Sequence, residues 1–158
     1  MNWQEVTEHP SLQNLPFKIE LNEYGAIVMN PVKLSHSFYQ CRISKLMEAI
    51  RDDGVTLVEC AVWTPKGTKV ADVAWMSNKL WKKLKGQTEA MIAPEVCVEV
   101  LSMSNSDVEM KEKRKLYFER GAKEVWICDD YGNISFYNPK RKITKSAMFA
   151  GFPNKIDI

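Results

Sequence analysis

At 158 residues, 45% of them hydrophobic and 27% charged, the chain suits a single domain over 1–158, because one core of that size buries most of its apolar surface and would gain nothing by splitting. No apolar stretch approaches the roughly 18 residues of a membrane helix, and MNWQEVTEHP lacks the basic start and apolar run of a secretory signal, which predicts a soluble cytoplasmic protein with no membrane partner. A net charge of +2 is too mild to argue for nucleic acid by itself.

Along the chain, Phe17, Ile19 and Leu21 alternate with Lys18 and Glu20, and NEYG turns into AIVM, which predicts an amino-terminal β-hairpin with Glu20 on its polar face. After Pro31, Tyr39, Ile43, Leu46, Met47 and Ile50 recur at helical spacing until DDG stops them, with Ser35 the expected N-cap and His36 on the inward face at the helix entrance. VTLVECAVW and KVADVAWM, joined by TPKG, read as antiparallel neighbours. Ser77 is placed to cap a short helix whose Leu80, Trp81 and Leu84 face inward while Lys79, Lys82, Lys83 and Lys85 cover the rest, either as a solvated face or as a surface for a polyanion.

EVCVEVLSM is apolar on both sides, the pattern of a strand inside the sheet. Ser106 and Glu109 have capping-box spacing, and the helix DVEMKEKRKLYFER runs to Gly121. KEVWIC and NISFY close the series as strands around DDYGN. The expected class is therefore α/β, a mixed sheet flanked by helices.

Four cysteines, Cys41, Cys60, Cys97 and Cys128, stand far apart in apolar runs with no CxxC pair, which predicts buried reduced thiols. Histidine is limited to His9 and His36, so a catalytic metal would have to lean on carboxylates. Glu99 interrupts the apolar run VCVEVL, and an ionised carboxylate there is costly to bury without a cation or strong hydrogen bonds. One solution is an ion pair with a lysine or arginine. Asp72 in VADVAW points to another, because two acids directed into one region repel each other, and a divalent cation relieves that repulsion. Two carboxylates, water and a phosphate form a hard ligand set suited to Mg2+ or Mn2+. Lys113 lies between Met110, Leu116 and Tyr117 on the inward stripe of its helix, where it could pair with Glu99 or stabilise charge on a phosphorane.

From Phe17 to the carboxyl terminus, FKIELNEYGAIVMNP, SHSFYQ, VADVAW, APEVCVEVLS, EKRKLYFERGAKEVWICD and GFPNKIDI together resemble the Uma-two family of bacterial restriction endonucleases within the PD-(D/E)XK superfamily. The resemblance implies a restriction-endonuclease-like core, Asp72 as the motif aspartate and Glu99 as the motif acid. It also implies Mg2+- or Mn2+-dependent endonuclease activity on DNA and a homodimer. Ala71 stands in place of the motif proline, and Leu101 in place of the lysine two residues after the acid; Lys113 takes that lysine's role from the following helix. Glu20 and His36 match further positions near the family's site. Lys79, Lys82, Lys83 and Lys85, with Lys140, Arg141 and Lys142, are candidates for contact with DNA. The competing expectation is a module that kept the fold and lost turnover while still holding nucleic acid. No phosphate-binding loop of the G-x-x-x-x-G-K-[ST] type occurs among the seven glycines.

Overall fold

The chain opens with a helix α1 (Trp3–Glu8) that Asn2 and Glu5 cap reciprocally, followed by a 3-10 turn at Pro10–Leu12, in a computed structural model that describes residues 1–103 and 105–158. Strands β1 (Phe17–Leu21) and β2 (Ile27–Pro31) form the expected hairpin, a two-stranded sheet of its own. Helix α2 (Leu34–Ile50) begins before Ser35, so the expected cap is replaced by Lys33, which has extended backbone and no side-chain cap bond. That earlier start puts Ser35 in the first turn and His36 at the third helical position, buried as expected. Strands β3 (Gly54–Val62) and β4 (Lys69–Ser77) pair antiparallel, and α3 (Asn78–Leu84) leaves the far end of β4, capped by Ser77. Then come β5 (Val96–Val100), α4 (Asp107–Glu119), β6 (Glu124–Cys128), β7 (Ile134–Tyr137) and β8 (Lys142–Ile143). Ser106 caps α4 by accepting from the Glu109 N–H, while the Glu109 carboxylate accepts from the Asn105 side chain.

Six strands make one mixed sheet in the order β3-β4-β5-β6-β7-β8. Among the described strands of this sheet, only β5 and β6 pair in parallel, and α4 is their crossover. β5 lies inside the sheet and is buried at every residue. The period of two sends Val96, Val98 and Val100 to one face, where they pack under Tyr39, Ile43 and Met47 of α2 with Trp75, Trp126 and Phe149. Cys97 goes to the other face, under Met110 and Tyr117 of α4 and Leu84 of α3. Helices therefore cover both faces, and Glu99 is directed toward α4. Cys60, Cys97 and Cys128 are buried free thiols as expected, but Cys41 is exposed because it lies on the outward side of α2.

The hairpin β1–β2 docks where the turn between β3 and β4 comes close. At Gly67, with φ of 89°, a Cβ would lie 2.3 Å from the carbonyl oxygens of Leu21 and Asn22, so only glycine fits there. A hydrogen bond from the Leu21 N–H to the Thr68 carbonyl at 2.9 Å seals that junction and holds β1 beside β4.

Candidate active site

The site forms where β4 and β5 part. Their ladder pairs Trp75 with Val96, Ala74 with Cys97 and Val73 with Val98, then stops; continued by one step, it would set Asp72 opposite Glu99. Instead the Val100 N–H donates to Asp72 Oδ2 at 2.7 Å, so a side chain takes the place of the next ladder bond. On the other edge of β4 the register runs through Val58–Val73 and Cys60–Ala71 but misses the pair between them, where Glu59 has a φ of 51°. A non-glycine residue in the left-handed region stores strain. It sits across from Asp72.

Into the fork between the strands come side chains from three other elements. From β1, Lys18 Nζ lies 2.9 Å from Asp72 Oδ1, 3.4 Å from Glu99 Oε2 and 3.6 Å from Glu20 Oε1. From α4, Lys113 Nζ lies 2.7 Å from Glu20 Oε1 and 3.2 Å from Glu99 Oε2, and Tyr117 donates its hydroxyl to Glu99 Oε1 at 2.6 Å. From α2, His36 Nε2 is 3.4 Å from Asp72 Oδ2, and among the described residues its buried Nδ1 has no hydrogen-bond partner. Glu20 Oε1 also accepts from the Val70 N–H at 2.9 Å. Asp72, Glu99, Lys113, Glu20 and His36 thus converge, and all five are buried.

Two ammonium groups among three acids, rather than two bare acids, set the electrostatics. Burial pulls the Asp72 pKa upward, but the Lys18 ammonium, reinforced by His36, outweighs it and holds the carboxyl well below the usual range. Glu20 is likewise lowered, because Lys113 and Lys18 overcome its desolvation. Lys18 keeps its proton well above the ordinary lysine value, its burial outweighed by Glu99, Asp72 and Glu20. Glu99 goes the other way: its desolvation prevails over both lysines and raises its pKa. Tyr117 is raised by the same burial and by Glu99 beside it, so it stays a hydrogen-bond donor.

Sequence reasoning missed Lys18 and Tyr117. The alternation in FKIEL put Lys18 on the same face of β1 as Glu20, and that was the available signal; the face taken as solvated is the one turned into the site. Lys113 reaches Glu99 as expected, though its shorter bond is to Glu20. The cavity lined by Lys18, His36, Asp72, Glu99 and Lys113 is about 20 Å³, room for one water. Lys79, Lys82 and Lys83 on α3 and Lys85 at its C-cap are exposed and do not line it. Lys140, Arg141 and Lys142 line a different feature, an open groove of about 900 Å³ shared with Lys111, Arg114 and Lys115 of α4. The Arg114 guanidinium carbon lies over Tyr137 there, 4.0 Å from the ring centre.

Among the described residues, no three His, Cys, Asp or Glu side chains form a ready cage for a metal ion. The pair Asp72 and Glu99 nevertheless suits a hard cation that keeps much of its water, because both present an oxygen to one ammonium nitrogen, a cation already placed between them. Among the described residues, no helix is long and apolar enough to cross a membrane.

No curated protein matches the chain at a significant level. Its fold is that of a crystal structure of a putative nuclease belonging to DUF820 from Anabaena variabilis, with a TM-score of 0.72 at 17% identity, covering 89% of this chain and 81% of that one. The sequence matches the profile of Uma2, described as "Putative restriction endonuclease", over residues 3–144. That match spans most of the chain, and this protein belongs to the Uma2 family.

Proposed function

We propose that this protein is a metal-dependent endonuclease that hydrolyses phosphodiester bonds of DNA, with Asp72 and Glu99 binding Mg2+ or Mn2+. The observation that carries the reading is the convergence of two carboxylates from parting strands on one cationic point, with a second lysine against Glu99. When bound, the ion supplies an activated water and neutralises charge on the phosphate. The chain's own residues divide the remaining work. Asp72 and Glu99 bind, Tyr117 and the Val100 N–H fix the carboxylates they touch, and Glu20 holds Lys113 in place. Lys113 then offers a buried positive charge to the oxygens of a pentacovalent phosphorus, where low dielectric makes that charge effective. His36 orients Asp72 from the entrance of α2.

Contacts to the DNA backbone fall to the basic groove between α4 and the β7–β8 turn, with the lysines of α3 as a second surface. A homodimer in the cytoplasm completes the reading, since two sites related by a twofold axis suit cleavage of both strands of a duplex. The competing reading, a module that holds nucleic acid without cutting it, draws on the small cavity, which has no room for a phosphate as it stands. Incubating supercoiled plasmid with the protein in Mn2+, in Mg2+ and in EDTA separates them: nicked or linear product in metal alone supports the nuclease, and intact plasmid that still shifts on a gel supports the binding module.

A further inference from the structure

We propose that Lys18 is a resident counter-cation: its ammonium occupies the divalent ion's binding point and swings out when the ion enters, so that the site is closed to ion and phosphate until Lys18 leaves. The proposal rests on the reading of Asp72 and Glu99 as ion ligands. Lys18 is the one of the two lysines that bridges both acids, at 2.9 Å from Asp72 and 3.4 Å from Glu99. Lys113 touches Glu99 but makes its short bond to Glu20, away from Asp72. A divalent ion between the same two oxygens would stand within a few ångströms of the Lys18 nitrogen, and like charges at that distance in a buried site repel strongly. The two cations exclude each other.

Space gives the same answer independently. With Lys18 in place the cavity is about 20 Å³, enough for one water but not for an ion with its waters and a phosphate. Lys18 can leave without unravelling the core. It stands on β1 of the separate hairpin, outside the six-stranded sheet, and its neighbour Phe17 is already 43% exposed at the start of that strand. A lysine side chain is flexible enough to carry its ammonium from the fork to solvent. Lys113 is held instead by its short bond to Glu20 from the middle of α4.

Competition of this kind lowers apparent ion affinity by the fraction of time the fork is free of Lys18. Calorimetric titration with Mn2+ should therefore show Lys18→Met binding tighter than wild type, by about tenfold if Lys18 is withdrawn about a tenth of the time, while Asp72→Asn loses binding. Because Lys18→Met leaves three buried acids with one lysine, a second measurement uses wild type alone. Reductive methylation with formaldehyde, read by peptide mass, should leave Lys18 protected in EDTA and label it several-fold faster in saturating Mn2+, with Lys113 protected in both. Lys18→Met that binds Mn2+ no tighter than wild type, or Lys18 equally protected with Mn2+ bound, overturns the displacement and leaves the metal reading standing. Absence of Mn2+ binding by wild type and by Lys18→Met alike overturns both.

Discussion

Asp72 accepts a backbone N–H at 2.7 Å and an ammonium at 2.9 Å, and these two bonds decide what its removal does. Read from sequence alone, a bare pair of repelling acids would make Asp72→Asn relieve repulsion, and an ion pair with a lysine would make it lose stability. The lysines select the second sign. Asparagine can still accept from Val100, but it leaves the buried Lys18 one carboxylate short, a loss on the order of 3 kcal/mol for a broken buried pair. Urea unfolding in EDTA should show Asp72→Asn less stable than wild type by about that much. The pH dependence follows from the shifts. Asp72 and Glu20 titrate below their unfolded values, so what they contribute is present above about pH 4 and lost as pH falls through the folded values. Lys18 titrates above its ordinary 10.5, so its contribution is present below that pH and lost above it. Glu99, raised by burial, has the opposite sign from the other acids: its contribution is present in acid and lost as pH rises through its raised value. Wild type should accordingly exceed Lys18→Met in stability across about pH 5 to 9, with the gap narrowing below about pH 4, as read by urea midpoints at each pH.

The elements that sequence made legible are those with a long, regular apolar pattern. The stripe of α2, the paired runs of β3 and β4, the doubly apolar β5 and the capped α4 all stand where the periodicity sets them. Helix α1 has a single buried residue, Val6, and β8 has two residues, so neither carries a period to read. The hairpin was legible as a hairpin, but the burial of its polar face was not, because that depends on acids 54 and 81 residues away from Lys18. Glu124 has the same character. It opens β6 fully buried, accepting from Trp126 Nε1 and Ser146 Oγ at 2.7 Å and from the N–H groups of Ala147 and Met148 at 2.7 and 2.9 Å. Among the described residues, four donors and no cation meet it, which makes it a clasp that closes the carboxyl-terminal segment over β6. Glu124→Ala should lower stability by about 3 kcal/mol, since it strands several buried donors, and Glu124→Gln by less; thermal unfolding of both variants measures this.

For the molecule as a whole, α2, β1 and α4 each deliver one or two side chains to the place where β4 and β5 part, which is why Asp72, Glu99 and Lys113 could be chosen from sequence by their apolar surroundings while Lys18 could not. A homodimer predicts a light-scattering mass twice the 18.2 kDa of the chain at micromolar concentration, and a mass of one chain contradicts it. The central claim is that the acids of this fork bind the ion that cuts DNA, and plasmid cleavage by wild type and Asp72→Asn side by side in Mn2+, both verified as folded by circular dichroism, tests it most directly. The account predicts nicking by wild type, abolished by EDTA, and a loss of at least about a hundredfold in Asp72→Asn, which lacks a ligand to the ion on which cleavage depends. Equal cleavage by the two proteins, or none by wild type in Mn2+, contradicts it.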